Sequence, residues 1–422
     1  MSHLLDDIKS AQKRGEARGI PSICSAHPAV LKTAMRGDGP LLIESTCNQV
    51  NQFGGYTGMT PVAFVAFVHG LAGEIGFPSE RLVLGGDHLG PNVWQKEPAE
   101  SAMRKAADMV RAYVQAGFTK IHLDASMKLG DDHPSRPLDV ERAAQRAACL
   151  AKAAETVADP ANAPCYVIGT EVPIPGGATA HEDGVRVTTV KDALCTLEVT
   201  RDAFLREGLE SAWERVIALV VQPGVEFGND FILDYKPAEA RELARFSETI
   251  PLVYEAHSTD YQTRDHLRTL VRDHFAILKV GPALTFAFRE AVFALAMMEA
   301  ELFSVGKRSM FLAVLDQAML RQPEYWQEHY HGTPAEQAFA RKYSLSDRSR
   351  YYWPDPAVQA ALTKLISNLE SVTIPLSLLS QYAPNIFNQI PRGKLPRHPA
   401  SVIDASIQAV LDDYQYACVP DK

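Results

Sequence analysis

The chain has 422 residues, 46% of them hydrophobic and 22% charged, and 51 acidic against 42 basic side chains leave a net charge of −9. These proportions exclude collagen-like, coiled-coil and disordered chains, and the acidic balance carries no footprint for nucleic acid. The six cysteines stand far apart with no CxxC pair, which excludes a zinc knuckle and fits a reducing compartment. The charged N-terminus lacks the apolar stretch of a secretory signal. The longest apolar run, Phe286 to Phe303, is broken by Arg289, Glu290, Glu299 and Glu301, so a cytoplasmic protein without a membrane span is expected.

In chain order, eight short apolar or β-branched runs predict strands: Ile20–Ala26, Leu41–Cys47, Leu82–Asp87, Lys120–Asp124, Tyr166–Thr170, Ile217–Gln222, Leu252–His257 and Phe275–Gly281. Helical periods separate them, over Pro61–Ile75, Pro98–Ala116, Leu138–Val157, Pro237–Phe246 and Arg264–Phe275. Strand and helix alternating eight times predict a parallel sheet buried on both faces, and a closed (β/α)8 TIM barrel fits best. An open doubly wound sheet is the alternative, but no GxGxxG follows any strand. The expected organisation is a barrel over 1–305, closed by a helix over Thr285–Phe303, and a helical C-terminal extension over 306–422. The extension carries an aromatic, charged patch, Arg350-Tyr351-Tyr352-Trp353-Pro354, and as a whole it is expected to pack on the barrel and to be the part that meets another chain.

A barrel places its chemistry at the C-terminal ends of its strands. Polar residues collect there in phase: Cys24-Ser25, Glu44 to Gln49, Asp87-His88, His122 to Asp124, Thr170-Glu171, Gln222 with Glu226, Glu255 to Ser258, and Lys279 with Gly281. Imidazoles and carboxylates suit zinc and similar divalent ions, so His88 and His257 are candidate metal ligands with Glu171 as the third. Asp124 and Gln222 fit either ligation or substrate contact. Asp87, beside His88, suits proton transfer with a substrate hydroxyl, and Glu171 is the second candidate catalytic group. Glu44, Asn48 and Gln49 suit sugar hydroxyls. Gly281 lies where barrels often hold phosphate, and Lys279 suits pairing with a carboxylate inside the barrel. The stretch from Gly176 to Asp183 reads as a loop over the site.

Six strings carry a resemblance to a known family. They are Gly85-Gly86-Asp87-His88-Leu89-Gly90-Pro91-Asn92, Ile121-His122-Leu123-Asp124-Ala125-Ser126-Met127, Gly169-Thr170-Glu171-Val172-Pro173, Gln222-Pro223-Gly224-Val225-Glu226-Phe227-Gly228, Glu255-Ala256-His257-Ser258-Thr259-Asp260-Tyr261-Gln262 and Leu278-Lys279-Val280-Gly281-Pro282-Ala283-Leu284-Thr285. Together they resemble the GatZ/KbaZ family, the Z-type subunits of class II tagatose-1,6-bisphosphate aldolase. The resemblance implies a TIM barrel in galactitol or tagatose catabolism that stabilises and activates a separate catalytic aldolase subunit, with a homo-oligomer as a further partner arrangement. The distant class II aldolases set an Asp-His pair and two further histidines around zinc. Asp87 and His88 resemble the pair and His257 one later histidine, while the slot after the sixth strand holds Gln222. Some relatives act as ketose C4-epimerases, so a metal-dependent aldolase or epimerase acting on a sugar or sugar phosphate is the second reading. Tagatose-6-phosphate kinase, a label also used in the family, is the third, and no GxxxxGK[ST] loop supports it.

Overall fold

The computed structural model describes residues 3–133, 135–169, 185–389 and 396–420. Ten strands occur there: β1 Ile20–Ile23, β2 Leu41–Thr46, β3 Leu82–Leu89, β4 Lys120–Leu123, β5 Cys165–Ile168, β6 Val216–Val220, β7 Glu226–Phe227, β8 Ile232–Leu233, β9 Val253–Ala256 and β10 Phe275–Val280. Eight close into a parallel barrel in the order β1-β10-β9-β6-β5-β4-β3-β2, and β7 and β8 form a small antiparallel hairpin beyond β6. The expected TIM barrel with added C-terminal helices is therefore the fold.

The connecting helices begin where local chemistry lets them. Pro61–Ile75 starts on Thr60, whose side chain accepts from the Ala63 N–H, with proline at the first turn. Arg264–Arg272 starts on Thr263 in the same way. Pro334–Tyr343 has a full capping box between Thr333 and Glu336.

Side chains alternate along a strand, so every second residue faces the lumen. Leu42, Val83, Val167, Val220, Val253 and Ile277 form one apolar cluster, joined by Leu5 and Ile8 of the N-terminal helix His3–Lys13. That helix plugs the lower end. Two residues further up, the same strands carry charge: Leu42 leads to Glu44, Val253 to Glu255 and Ile277 to Lys279. The next step reaches His257 on β9, while β4 steps from Lys120 to His122 and β3 from Gly85 to Asp87. Gly85 is required at its level, because a Cβ there would stand 2.7 Å from Glu44 Cγ.

The C-terminal segment folds back over the barrel. Helix Pro399–Cys418 lies along its flank, where the Tyr414 hydroxyl donates to the Thr259 carbonyl at 2.9 Å. Asp347 accepts from Arg289 at 2.9 Å and from the Thr285 hydroxyl at 2.5 Å, on the helix Pro282–Leu302 that follows β10. This buried tie fixes the turn Arg348–Tyr352 over the barrel mouth.

Candidate functional site

The charged layer is a ring of alternating sign. Lys120 Nζ lies 2.7 Å from Glu44 Oε1 and 2.6 Å from Glu255 Oε2. Lys279 Nζ lies 3.0 Å from Glu44 Oε2 and 3.5 Å from Glu255 Oε1, and reaches up to Asp87 Oδ1 at 2.6 Å. Burying charge is costly, and pairing opposite signs offsets that cost. Against burial, Lys120 and Lys279 hold Glu255 well below the usual carboxylate range. Against burial, the neighbouring carboxylates raise both lysines above their ordinary value.

Above the ring, Asp87, His88, His122 and His257 are all buried, and one ligand atom from each lies within 4.8 Å of the others. Neighbours in a strand should point to opposite faces, so Asp87 and His88 could not normally share a site. The register between β3 and β4 slips between Gly86 and Leu89, and His88 adopts a left-handed φ of 49°. The bulge turns both side chains toward the mouth. Ser258, next to His257, also has a left-handed φ of 53°. Such strained non-glycine residues gather at functional sites.

Two imidazoles are anchored on carboxylates. His88 Nδ1 lies 2.9 Å from Asp124 Oδ2, and His257 Nε2 lies 3.0 Å from Glu255 Oε1. A Cβ at residue 90 would overlap the Asp124 carbonyl, so only glycine lets this carboxylate approach His88 so closely. The outward nitrogens, His88 Nε2 and His257 Nδ1, face each other at 3.2 Å. Only a proton or a cation can sit between two such nitrogens. Tetrahedral zinc with bonds of 2.0–2.1 Å would hold its ligands about 3.3 Å apart. His122 Nδ1 lies 3.1 Å from Asp87 Oδ1 and 3.2 Å from the His88 amide, while its Nε2 is buried with no partner among the described residues. Carboxylate-anchored imidazoles beside an orphaned ring nitrogen form a donor set that fits a divalent cation.

Ionisation agrees with that use. Burial opposes the Asp87 charge, but His88, Lys279 and the His122 bond hold it well below the usual range. Burial pushes His257 down to about 3, so it is neutral, as a ligand must be. His88 differs: against burial, Asp87 and Asp124 raise it, so a cation here must displace a proton that these carboxylates favour.

The mouth encloses a cavity of about 90 Å³ lined by Asn48, Gln49, Asp87, His88, His257, Lys279 and Gly281. Gln49 spends its Oε1 on the Thr46 amide at 2.9 Å. Glu44 lies beneath the cavity in the ring, and Asp124 lies behind His88, accepting also from the Ser126 hydroxyl at 2.6 Å. Gln222 turns back on itself: its Oε1 accepts from the Gly224 amide at 2.8 Å, and it does not line the cavity. The Gly281 amide, the expected place for phosphate, already donates to Asp260 Oδ1 at 3.0 Å, as does the Ala283 amide at 2.8 Å. Burial raises Asp260 to about 6. Glu171 and the expected loop from Gly176 to Asp183 fall outside the described residues.

Sequence reasoning did not single out His122, though its place two residues after Lys120 puts it on the lumen face. It also missed Tyr56, Arg350 and Tyr351, which line the mouth. The aromatic patch of the extension packs inward: Trp353 is 2% exposed, and the Tyr351 and Tyr56 rings lie 4.6 Å apart.

Comparison with known proteins follows the same outline. Residues 5–419 match the family model described as D-tagatose-1,6-bisphosphate aldolase subunit GatZ/KbaZ-like. The D-tagatose-1,6-bisphosphate aldolase subunit GatZ of Salmonella dublin is 53% identical over 99% of this chain and 100% of its own length. Its counterpart in Salmonella heidelberg is 54% identical with the same coverage. A crystal structure from Sinorhizobium meliloti 1021, described as a probable tagatose 6 phosphate kinase, superposes with a TM-score of 0.87. It is 46% identical and covers 95% of this chain and 100% of that one.

Proposed function

The chain belongs to the D-tagatose-1,6-bisphosphate aldolase subunit GatZ/KbaZ-like family, and from that premise we propose that it is a Z-type subunit that activates and stabilises a separate catalytic aldolase subunit in cytoplasmic sugar catabolism. The observation that carries this reading is the unbroken match to relatives named as that subunit, at 53% identity over their full length. No helix among the described residues is long and apolar enough to cross a membrane. Co-expression with a catalytic class II aldolase subunit tests the reading. Co-elution and a several-fold rise in tagatose 1,6-bisphosphate cleavage are expected, and separate elution with unchanged cleavage would refute it.

The second reading gives the chain its own aldol or C4-epimerase chemistry. One observation favours it: although the slot after the sixth strand holds Gln222, His122 brings a third imidazole to His88 and His257, so three imidazoles and a carboxylate meet. That donor set suits zinc, which when bound would polarise a substrate carbonyl. The chain's own groups would do the rest. Asp87, held ionised and lining the cavity, accepts a hydroxyl proton, and Lys279 on its Oδ1 fixes its orientation and charge. Asn48 and Gln49 border the space for sugar hydroxyls. The isolated chain incubated with Zn²⁺ and ketohexose phosphates should then convert them, with Asp87→Asn at least about 100-fold slower. Phosphoryl transfer from a nucleotide gains no support, since the sequence has no phosphate-binding GxxxxGK[ST] loop.

A further inference from the structure

We propose that the cleft between the loop after β1 and the turn Arg348–Tyr352 is an oxyanion subsite, in which Arg350 and Trp353 receive the phosphate monoester of a sugar phosphate whose far end reaches Asp87 and His88. The proposal rests on reading the barrel mouth as a sugar-phosphate site and assigns the ligand's anionic end to residues of the C-terminal segment.

A second cavity, of about 260 Å³, opens beside the first and shares Cys24, Gln49, Tyr56, Gly281, Pro282 and Arg350 with it. Cys24 links the two, its Sγ lying 3.8 Å from Asp87 Oδ2. The volume far exceeds the roughly 10–15 Å³ that one water needs, and takes a phosphoryl group with its first carbons. In a chain of net charge −9, no aspartate or glutamate among the described residues lines this cavity, and Arg350 brings a permanent positive charge.

Arg350 is held but not neutralised. Its guanidinium donates to the carbonyls of Ser346 and Asp347 and to the Tyr351 hydroxyl at 3.1 Å, and lies 4.6 Å over the Tyr351 ring. Among the described residues no carboxylate pairs with it, whereas Arg289, Arg321 and Arg341 each pair with an aspartate. Trp353 is 2% exposed and lines the cavity, yet its indole N–H has no acceptor among the described residues. His27, whose ring lies 5.9 Å from that of Trp353, also has a buried Nδ1 without a partner among the described residues, and burial keeps this imidazole neutral. An indole N–H is a donor only, and burying it unpaired is costly, so the missing group is an acceptor. A guanidinium beside that donor selects an anion, and a phosphate offers acceptor oxygens to both.

A sugar carboxylate carries similar acceptor chemistry, so the test includes one. The purified full chain is titrated with inorganic phosphate, with D-tagatose 1,6-bisphosphate and with D-galacturonate at constant ionic strength, following tryptophan fluorescence and melting temperature. Both phosphates should quench the fluorescence and raise the melting temperature, and galacturonate should do neither. Arg350→Gln should weaken phosphate binding at least tenfold, Arg350→Lys should restore part of it, and Trp353→Phe should weaken it several-fold and remove the quench. Should Arg350→Gln fail to fold, Arg350→Lys and Trp353→Phe decide by the same criterion. Phosphate acting no better than chloride, galacturonate binding in preference, or unchanged affinity in the variants would each overturn the subsite. The subunit reading fails separately, by lack of co-elution, because this titration needs no partner.

Discussion

The two halves of the barrel lumen use the same strands for opposite ends. In the lower half, Leu42, Val167, Val253 and Ile277 pack with the plug residues Leu5 and Ile8 in one apolar cluster. One step up, Glu44, Lys120, Glu255 and Lys279 fill the same cross-section with four charges, none more than 4% exposed. The lower layer is stabilised by removal from water. The upper layer bears a desolvation cost that only its pairing offsets, and what it does is hold Asp87 and His257 in place from below. A stack with stability below and chemistry above is what the site at the C-terminal rim requires.

Breaking one member of each layer separates these roles. The largest effect belongs to Lys120→Met, which removes the closest cation from two buried carboxylates and leaves Glu44 and Glu255 sharing Lys279. Its cost should be about 3–5 kcal/mol by denaturant unfolding. Leu42→Ala in the lower layer should cost about 2–5 kcal/mol through the cavity it opens, while leaving the upper site's metal content unchanged. Equal loss of metal in both variants would mean that the layers are not separable.

Glu226 sharpens the comparison from outside the ring. Unlike Glu255 it shows no lysine pairing among the described residues. Burial raises it to about 7 even though the Phe227 amide and Ser258 bond to it. Between about pH 4.5 and 7 the folded chain therefore binds a proton that the unfolded chain has lost. Stability falls as pH rises through this window and levels off above it. Glu226→Gln should be neutral near pH 4 and stabilising by about 1–3 kcal/mol at pH 8, measured as unfolding midpoints across pH.

The strand rhythm was legible because buried parallel strands read as apolar runs that end on polar residues, and the eight runs lie within a residue or two of the observed strand starts. Helix Pro61–Ile75 was legible to the residue, with its proline start and glycine stop. The site was legible only in part. Asp87, His88 and His257 stood out at strand ends, but His122 lies inside β4, where a polar residue reads as one more lumen position. Nothing local announces the bulge that turns His88 inward, since it depends on the register of β3 against β4. The hairpin Glu226–Leu233 is too short to show a period. The place of Arg350 is set by contacts across about 300 residues, such as Tyr351 against Tyr56, which local pattern cannot report.

The four side chains of Asp87, His88, His122 and His257 acting as one cation site is the claim on which the rest depends, and metal analysis of three purified proteins tests it most directly. Wild type and Gln222→Ala should each carry one divalent ion per chain, and His122→Ala should lose it. A wild type that binds none after incubation with Zn²⁺, or an ion lost with Gln222 and kept without His122, would contradict the account.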